Sequence, residues 1–211
     1  MESQRSNGGC SPFFLYVEGA RDQEILRSWA RRLSRPLERA IDESSVIMGG
    51  RQPARAIELF RREAQRSVSA RGLCVLDRDD GELLLDDSVP GLEFFTWPRR
   101  HIESYLLVAT AIWRYAHRGA ALERIEQLLR DDGRSPEQTH AKTLLAPKGR
   151  LAQELGRSIS AAGVARAMRS DEIHPDVHAL FDRVYEATGL RRPAPVVVHR
   201  RAQARDPSRR R

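Results

Sequence analysis

Within its first hundred residues the chain alternates short apolar, β-favouring runs with segments whose apolar side chains recur at helical spacing. Few architectures accept that alternation. Phe13 to Val17, Ser45 to Met48, Leu73 to Leu76 and Leu92 to Trp97 read as strands, the second ended by Gly49-Gly50. Between them, Asp22 to Leu33 places Ile25, Leu26, Trp29 and Leu33 on one helical face, and Ala54 to Val68 does the same with Ile57, Leu59, Phe60, Ala64 and Val68. The order β-α-β-α-β-β predicts an α/β fold: a mainly parallel sheet, joined by right-handed crossovers and flanked by helices. Beyond it, Ile102 to His117 reads as one strongly apolar helix packed on the sheet. Further helices are expected over Ala120 to Leu129, Gly149 to Leu155 and Val177 to Ala187, and Val196 to Val198 could add an edge strand. The expected division is a flexible N-terminus over 1–11, an α/β domain over 12–118, a helical extension over 119–190 and a basic, disordered tail over 191–211.

Two acidic clusters fall where such a fold builds its sites. Glu18 directly follows the first strand, and Asp77 and Asp79 directly follow the third. Ligands of open parallel sheets bind just outside the carboxyl ends of the strands, so the clusters converge if those strands are neighbours. Three carboxylates repel one another strongly at close range. A divalent cation resolves the repulsion, and hard oxygen donors suit one or two Mg²⁺ or Mn²⁺ ions. The D-x-D spacing turns Asp77 and Asp79 to the same side of an extended chain and Arg78 away. Asp22, four residues after Glu18, points back to the same place from the first helical turn, although capping that turn would also account for it.

Charge placement adds a partner. The net charge is +7. Residues 191–211 hold eight arginines and one acid, a balance of +7, so the preceding 190 residues carry 28 basic and 28 acidic groups, a balance of zero. An arginine-rich tail containing Arg200 and Arg201 attracts polyanions such as nucleic acid. Arg99, Arg100 and His101 lie beside Glu103 and could contact a phosphate, which arginine binds bidentately. The two cysteines, Cys10 and Cys74, have no metal-ligand spacing, and Cys74 reads as a buried free thiol. His174 and His178 stand four apart without a third ligand, and a helix-entry turn at Pro175 explains them. No apolar run approaches the ~20 residues of a membrane span, and the polar start does not read as a secretory signal, so a cytoplasmic protein is expected.

Around Phe14-Leu15-Tyr16-Val17-Glu18-Gly19 with Asp22, and Val75-Leu76-Asp77-Arg78-Asp79, the sequence resembles the TOPRIM domain of topoisomerases, primases, small RNA-processing nucleases and OLD (overcoming lysogenization defect) nucleases. The segment from Phe95 to Leu107, with Ile102-Glu103-Ser104-Tyr105-Leu106, resembles the strand-then-IENYL element of OLD-type and related standalone bacterial proteins, some of which act in anti-phage defence beside an ABC-type ATPase. Ser104 stands where asparagine is usual. Lys148-Gly149-Arg150 resembles the lysine element of the same group.

The resemblance covers roughly residues 13 to 150. It implies Mg²⁺-dependent phosphodiester hydrolysis, with Glu18, Asp77 and Asp79 as the metal-binding core, Glu103 near the metal and Lys148 stabilising phosphate charge. No G-x-x-x-x-G-K-[ST] segment occurs, so an ATPase partner would be a separate protein. Three alternatives stay open: a small RNA-maturation nuclease on the same fold, a non-catalytic subunit that binds nucleic acid or an ATPase, and phosphatase or nucleotidyl-transfer chemistry on small molecules.

Overall fold

The computed structural model describes residues 11–78, 89–117, 121–131 and 141–193. The segments expected to be flexible, the candidate strand Val196 to Val198, and Asp79, Arg200 and Arg201 therefore lie largely or wholly outside the described residues. Four strands form one parallel sheet: β1 (Phe13–Val17), β2 (Ser45–Ile47), β3 (Arg71–Leu76) and β4 (Leu92–Thr96), in the order β2-β1-β3-β4. The chain leaves β1 for β2 on one side and returns to place β3 on the other. The crevice between the carboxyl ends of β1 and β3 is thus the point where such sheets bind ligands.

Side chains alternate across the sheet, as the pleat requires. Leu15, Val17, Leu73, Val75 and Phe95 face one apolar cluster, whereas Tyr16, Cys74, Leu76 and Leu92 face another. Among the described residues, the second cluster is covered by a single helix, α3 (Pro53–Arg66), through Ala56 and Phe60. Close backbone approach sets this contact: a Cβ on Gly72 would lie 2.7 Å from the Phe60 ring, so glycine is needed there.

Every other long helix packs on the first face. They are α1 (Ala20–Leu33), α2 (Arg35–Ser44), α4 (Ala109–Tyr115), α5 (Leu122–Arg130), α8 (Ala161–Ala167) and α9 (Pro175–Thr188), with short helices α6 (Ala141–Leu144) and α7 (Arg150–Glu154) between them. The segment set aside as a helical extension contributes Ile125, Leu151, Val164, Val177 and Phe181 to the same cluster as Leu15 and Val75. Among the described residues, no helix is long and apolar enough to cross a membrane.

Two local differences from the sequence reading have physical causes. The segment 102–117 is not one helix: a 3₁₀ turn, Ile102–Leu106, is followed by an extended Val108 and then α4. The N–H of Ile102 is given to Asp77 Oδ1, 3.1 Å away, and the Tyr105 hydroxyl accepts the Arg99 N–H, so the turn is shaped by polar contacts that apolar periodicity does not register. The second difference is α2, where Ser34 caps the helix by accepting the Leu37 N–H and Pro36 sits in the first turn, a start signal masked by the surrounding arginines.

Candidate active site

The site is assembled at the carboxyl ends of the two central strands. The Glu18 carboxylate accepts the backbone N–H of Asp77 at 2.9 Å, which ties the end of β1 to the end of β3. The Glu18 carbonyl accepts the N–H groups of Gly49 and Gly50, at 3.0 and 2.8 Å, so the loop after β2 is fastened to the same residue. Asp77 is buried. Its Oδ1 accepts Ile102 N–H, while its Oδ2 lies 2.6 Å from Lys142 Nζ and 3.3 Å from His101 Nδ1.

Helix α1 starts immediately after Glu18 and brings in Asp22, whose Oδ2 accepts the Gly19 N–H at 2.9 Å. Capping is therefore one of its roles. It is not the whole of its surroundings, however. Burial first, then the negative charges of Asp77, Glu103 and Glu18, push its carboxyl up to about 7 against the opposing pull of the Gly19 N–H.

Glu103 comes from the 3₁₀ turn and is 1% exposed. Its Oε1 is 3.5 Å from an Arg21 guanidinium nitrogen, and its buried Oε2 has no hydrogen-bond partner among the described residues. The turn that carries it is anchored behind by Tyr105, whose hydroxyl donates to Asp176 at the start of α9 at 2.7 Å.

Lys142, on α6, supplies the cationic side. Burial pulls its ammonium down, but the bond to Asp77 and the charges of Asp77, Glu103 and Asp22 outweigh that, and its pKa is raised. It remains charged at neutral pH.

The structure thus brings together Glu18, Asp22, Asp77 and Glu103. It adds Lys142 and Arg21, which the sequence reading did not single out, and places His101 on Asp77. The signal for Arg21 was its place one residue before Asp22. For Lys142 it was only the scarcity of lysine, two in a chain with 36 basic residues. Lys148 is not brought in: its side chain is exposed, and its carbonyl accepts from Gln153. Arg99 turns onto its own loop, donating to the Ser104 carbonyl at 3.0 Å and lying 4.8 Å above the Tyr105 ring. The Arg100 carbonyl accepts the Arg78 N–H. The Ser104 hydroxyl is buried without a partner among the described residues.

Whether these residues fit a divalent cation can be judged from their own arrangement. Among the described residues, no three metal-binding side chains already converge as a finished cage. The donor set is nevertheless all hard oxygen. Four carboxylates, Glu18, Asp22, Asp77 and Glu103, lie at this crevice, where Lys142 pairs with Asp77 and Arg21 with Glu103, and such oxygens suit a hard divalent cation. The buried Glu103 Oε2, without a hydrogen-bond partner among the described residues, and the raised Asp22 carboxyl are compatible with a cation placed among these groups. The set fits Mg²⁺ or Mn²⁺.

No protein-family model matches the chain, and no curated protein matches it. Among solved structures, the C-terminal region of the Xanthomonas campestris pv. campestris OLD protein, phased with iodine, superposes with a TM-score of 0.51 at 18% identity, covering 85% of this chain and 97% of that one. Structures of the same region phased with mercury and platinum give TM-scores of 0.50 and 0.51 at 17% and 16% identity. The chain has the fold of an OLD C-terminal region. The OLD-type TOPRIM resemblance of the sequence is matched by its fold, and Glu18 and Asp77 stand at the carboxyl edge of that OLD-like sheet.

Proposed function

We propose that the chain is a metal-dependent nuclease that hydrolyses phosphodiester bonds in DNA or RNA. The observation that carries this reading is the cluster of four carboxylates at the β1–β3 crevice with the Lys142 ammonium on Asp77. Glu18, Asp22, Asp77 and Glu103, with Asp79 beyond Arg78, would hold one or two Mg²⁺ or Mn²⁺ ions. When bound, such an ion supplies a water of lowered pKa and neutralises charge on the phosphate.

The protein's own groups do the rest. Glu18 and Asp77 are fixed by backbone N–H groups, so the oxygens they present are preorganised. With its carboxyl raised to about 7, Asp22 is partly protonated at neutral pH and would give up that proton when positive charge enters the cluster. Lys142 is half-exposed on a flexible stem, able to leave Asp77 for a phosphate oxygen and offset the charge that develops there. This is the role that the family resemblance suggested for Lys148. The sequence resemblance to OLD-type proteins extends this proposal to anti-phage work beside an ABC-type ATPase.

The test is to incubate purified protein with plasmid DNA, single-stranded DNA or total tRNA, in Mg²⁺, Mn²⁺ or EDTA, with Asp77→Ala alongside. Cleavage that needs metal and is lost in the variant is expected, and the substrate cut selects between DNA and RNA. Equal behaviour of wild type and variant, with no Mn²⁺ binding to either by calorimetry, would remove the nuclease reading and leave a binding subunit.

A further inference from the structure

The first face of the sheet carries a second polar feature, continuous with the site. The cavity that contains Glu103 and Lys142 is lined by Arg21 and Glu24 of α1. Glu24 also borders the next cleft along the helix, with Arg27, Ser28, Arg31 and, from α8, Arg166. That cleft passes into a third, walled by Arg31, Arg32, Arg35 and Arg166. The three are successive stations along α1, because 21, 24, 28 and 31 recur at helical spacing on one face. From Arg21 to Arg31 is ten residues, or about 15 Å of helix.

Charge in this groove is segregated. The two clefts beyond the site are lined by five arginines and two acids, a balance of +3, in a body whose first 190 residues balance to zero. Arg27 and Arg35 are engaged: both pair with the buried Glu38, and Arg27 also with Asp42, which lies outside the clefts. Arg32 donates to the Arg166 carbonyl, which fixes one wall to the other. Arg31 and the Arg166 guanidinium are exposed and have no ion-pair partner among the described residues.

We propose that this α1–α8 groove binds the phosphate backbone of the polynucleotide flanking the scissile bond, an inference that rests on the nuclease reading of the adjoining site. Exposed guanidinium groups such as those of Arg31 and Arg166, along a walled channel, suit a polyanion that continues past the reacting phosphate. At 3.4 Å of axis per phosphate of one strand, about 15 Å spans about four nucleotides. Phosphate contacts of this kind give register and affinity without sequence preference.

The test measures binding separately from cleavage. Labelled oligothymidylate, oligouridylate and a DNA duplex are titrated with the full chain in EDTA at several salt concentrations. The pair Arg31→Ala/Arg166→Ala is compared with Arg62→Ala/Arg66→Ala, which removes two exposed arginines from α3 on the opposite face. Losing two phosphate contacts is expected to weaken binding about tenfold at low salt and to flatten the log–log salt slope by about 1.4 on single strands or about 1.8 on duplex. In cleavage assays KM should rise while kcat holds.

Unchanged affinity and slope in the groove pair overturn the proposal, as does an equal loss in the α3 pair, which would mark a general charge effect. A groove pair that weakens binding in a protein that never cleaves any substrate would retire the nuclease reading alone. Circular dichroism of both pairs guards against misfolding, and Arg31→Lys/Arg166→Lys should restore most of the slope.

Discussion

The two faces of the sheet have been given different work. On one side, among the described residues, α3 closes the layer with Phe60 against Gly72 and Gly91, and the loop after β2 reaches the crevice. On the other, α1, the 3₁₀ turn and α6 each deliver a charged group to the strand ends: Asp22 and Arg21, Glu103, and Lys142. Among the described residues, the ends of β1 and β3 contribute Glu18 and Asp77. The difference teaches that the sheet sets where chemistry occurs, while the thick helical layer decides which charges meet there.

The largest effect that separates the faces should be one of stability. Phe60 is fully buried, and Phe60→Ala should cost about 3–5 kcal/mol of unfolding free energy in urea melts. Activity per folded molecule should be kept, because no site residue touches that ring. A loss of activity at full folding would erase the division between faces.

Next comes Lys142→Ala. Removing the ammonium that faces Asp77 should lower kcat by about 10²–10³-fold, the magnitude seen when one charge-stabilising donor is lost, with KM for nucleic acid little changed. If KM rises instead and kcat is kept, Lys142 holds substrate rather than stabilising the reaction.

What could be read from the sequence divides along similar lines. The strands and the Glu18–Asp77 pair were legible because they depend on local features: apolar, β-favouring runs, and acids placed immediately after them. The cation was not. Lys148 precedes a glycine, which looks like a ligand-binding turn. Gly149 is instead required by its own chain: a Cβ there would lie 2.4 Å from the Thr143 carbonyl and 2.8 Å from that of Leu144. That fold-back leaves Lys148 outside and Lys142 facing β3 across 65 residues of sequence. The break between the 3₁₀ turn and α4 was hidden for the same reason, since Asp77 takes the Ile102 N–H from a distant strand.

A smaller effect should appear with pH. An unfolded aspartate titrates near 3.9, whereas Asp22 in the folded protein is raised to about 7. The folded state therefore binds the extra proton between those values, and stability from this group is full below about pH 4 and declines until about pH 7. In EDTA, Asp22→Asn should remove that decline and gain about 1–3 kcal/mol on wild type between pH 4 and 8, after discounting for partial exposure. Mg²⁺ should restore wild-type stability at pH 8 and help the variant less. Parallel pH profiles for the two proteins would show that the carboxylates do not sense one another.

The smallest effect is expected from Lys148→Ala, and it bears most directly on how the helical layer works. Lys148 and Lys142 are six residues apart and equal in charge, so a field acting at long range would make both matter. If contact decides, Lys148→Ala leaves kcat within about twofold of wild type and stability within ~0.5 kcal/mol, as for an exposed side chain away from packed features. Single-turnover cleavage of the same substrate by Lys142→Ala, Lys148→Ala and the double variant measures this. A double variant no worse than Lys142→Ala assigns the charge to α6. If Lys148→Ala alone costs tenfold or more, the segment after α6 rearranges to bring Lys148 in when substrate binds, and the thick face is then a moving part of the site.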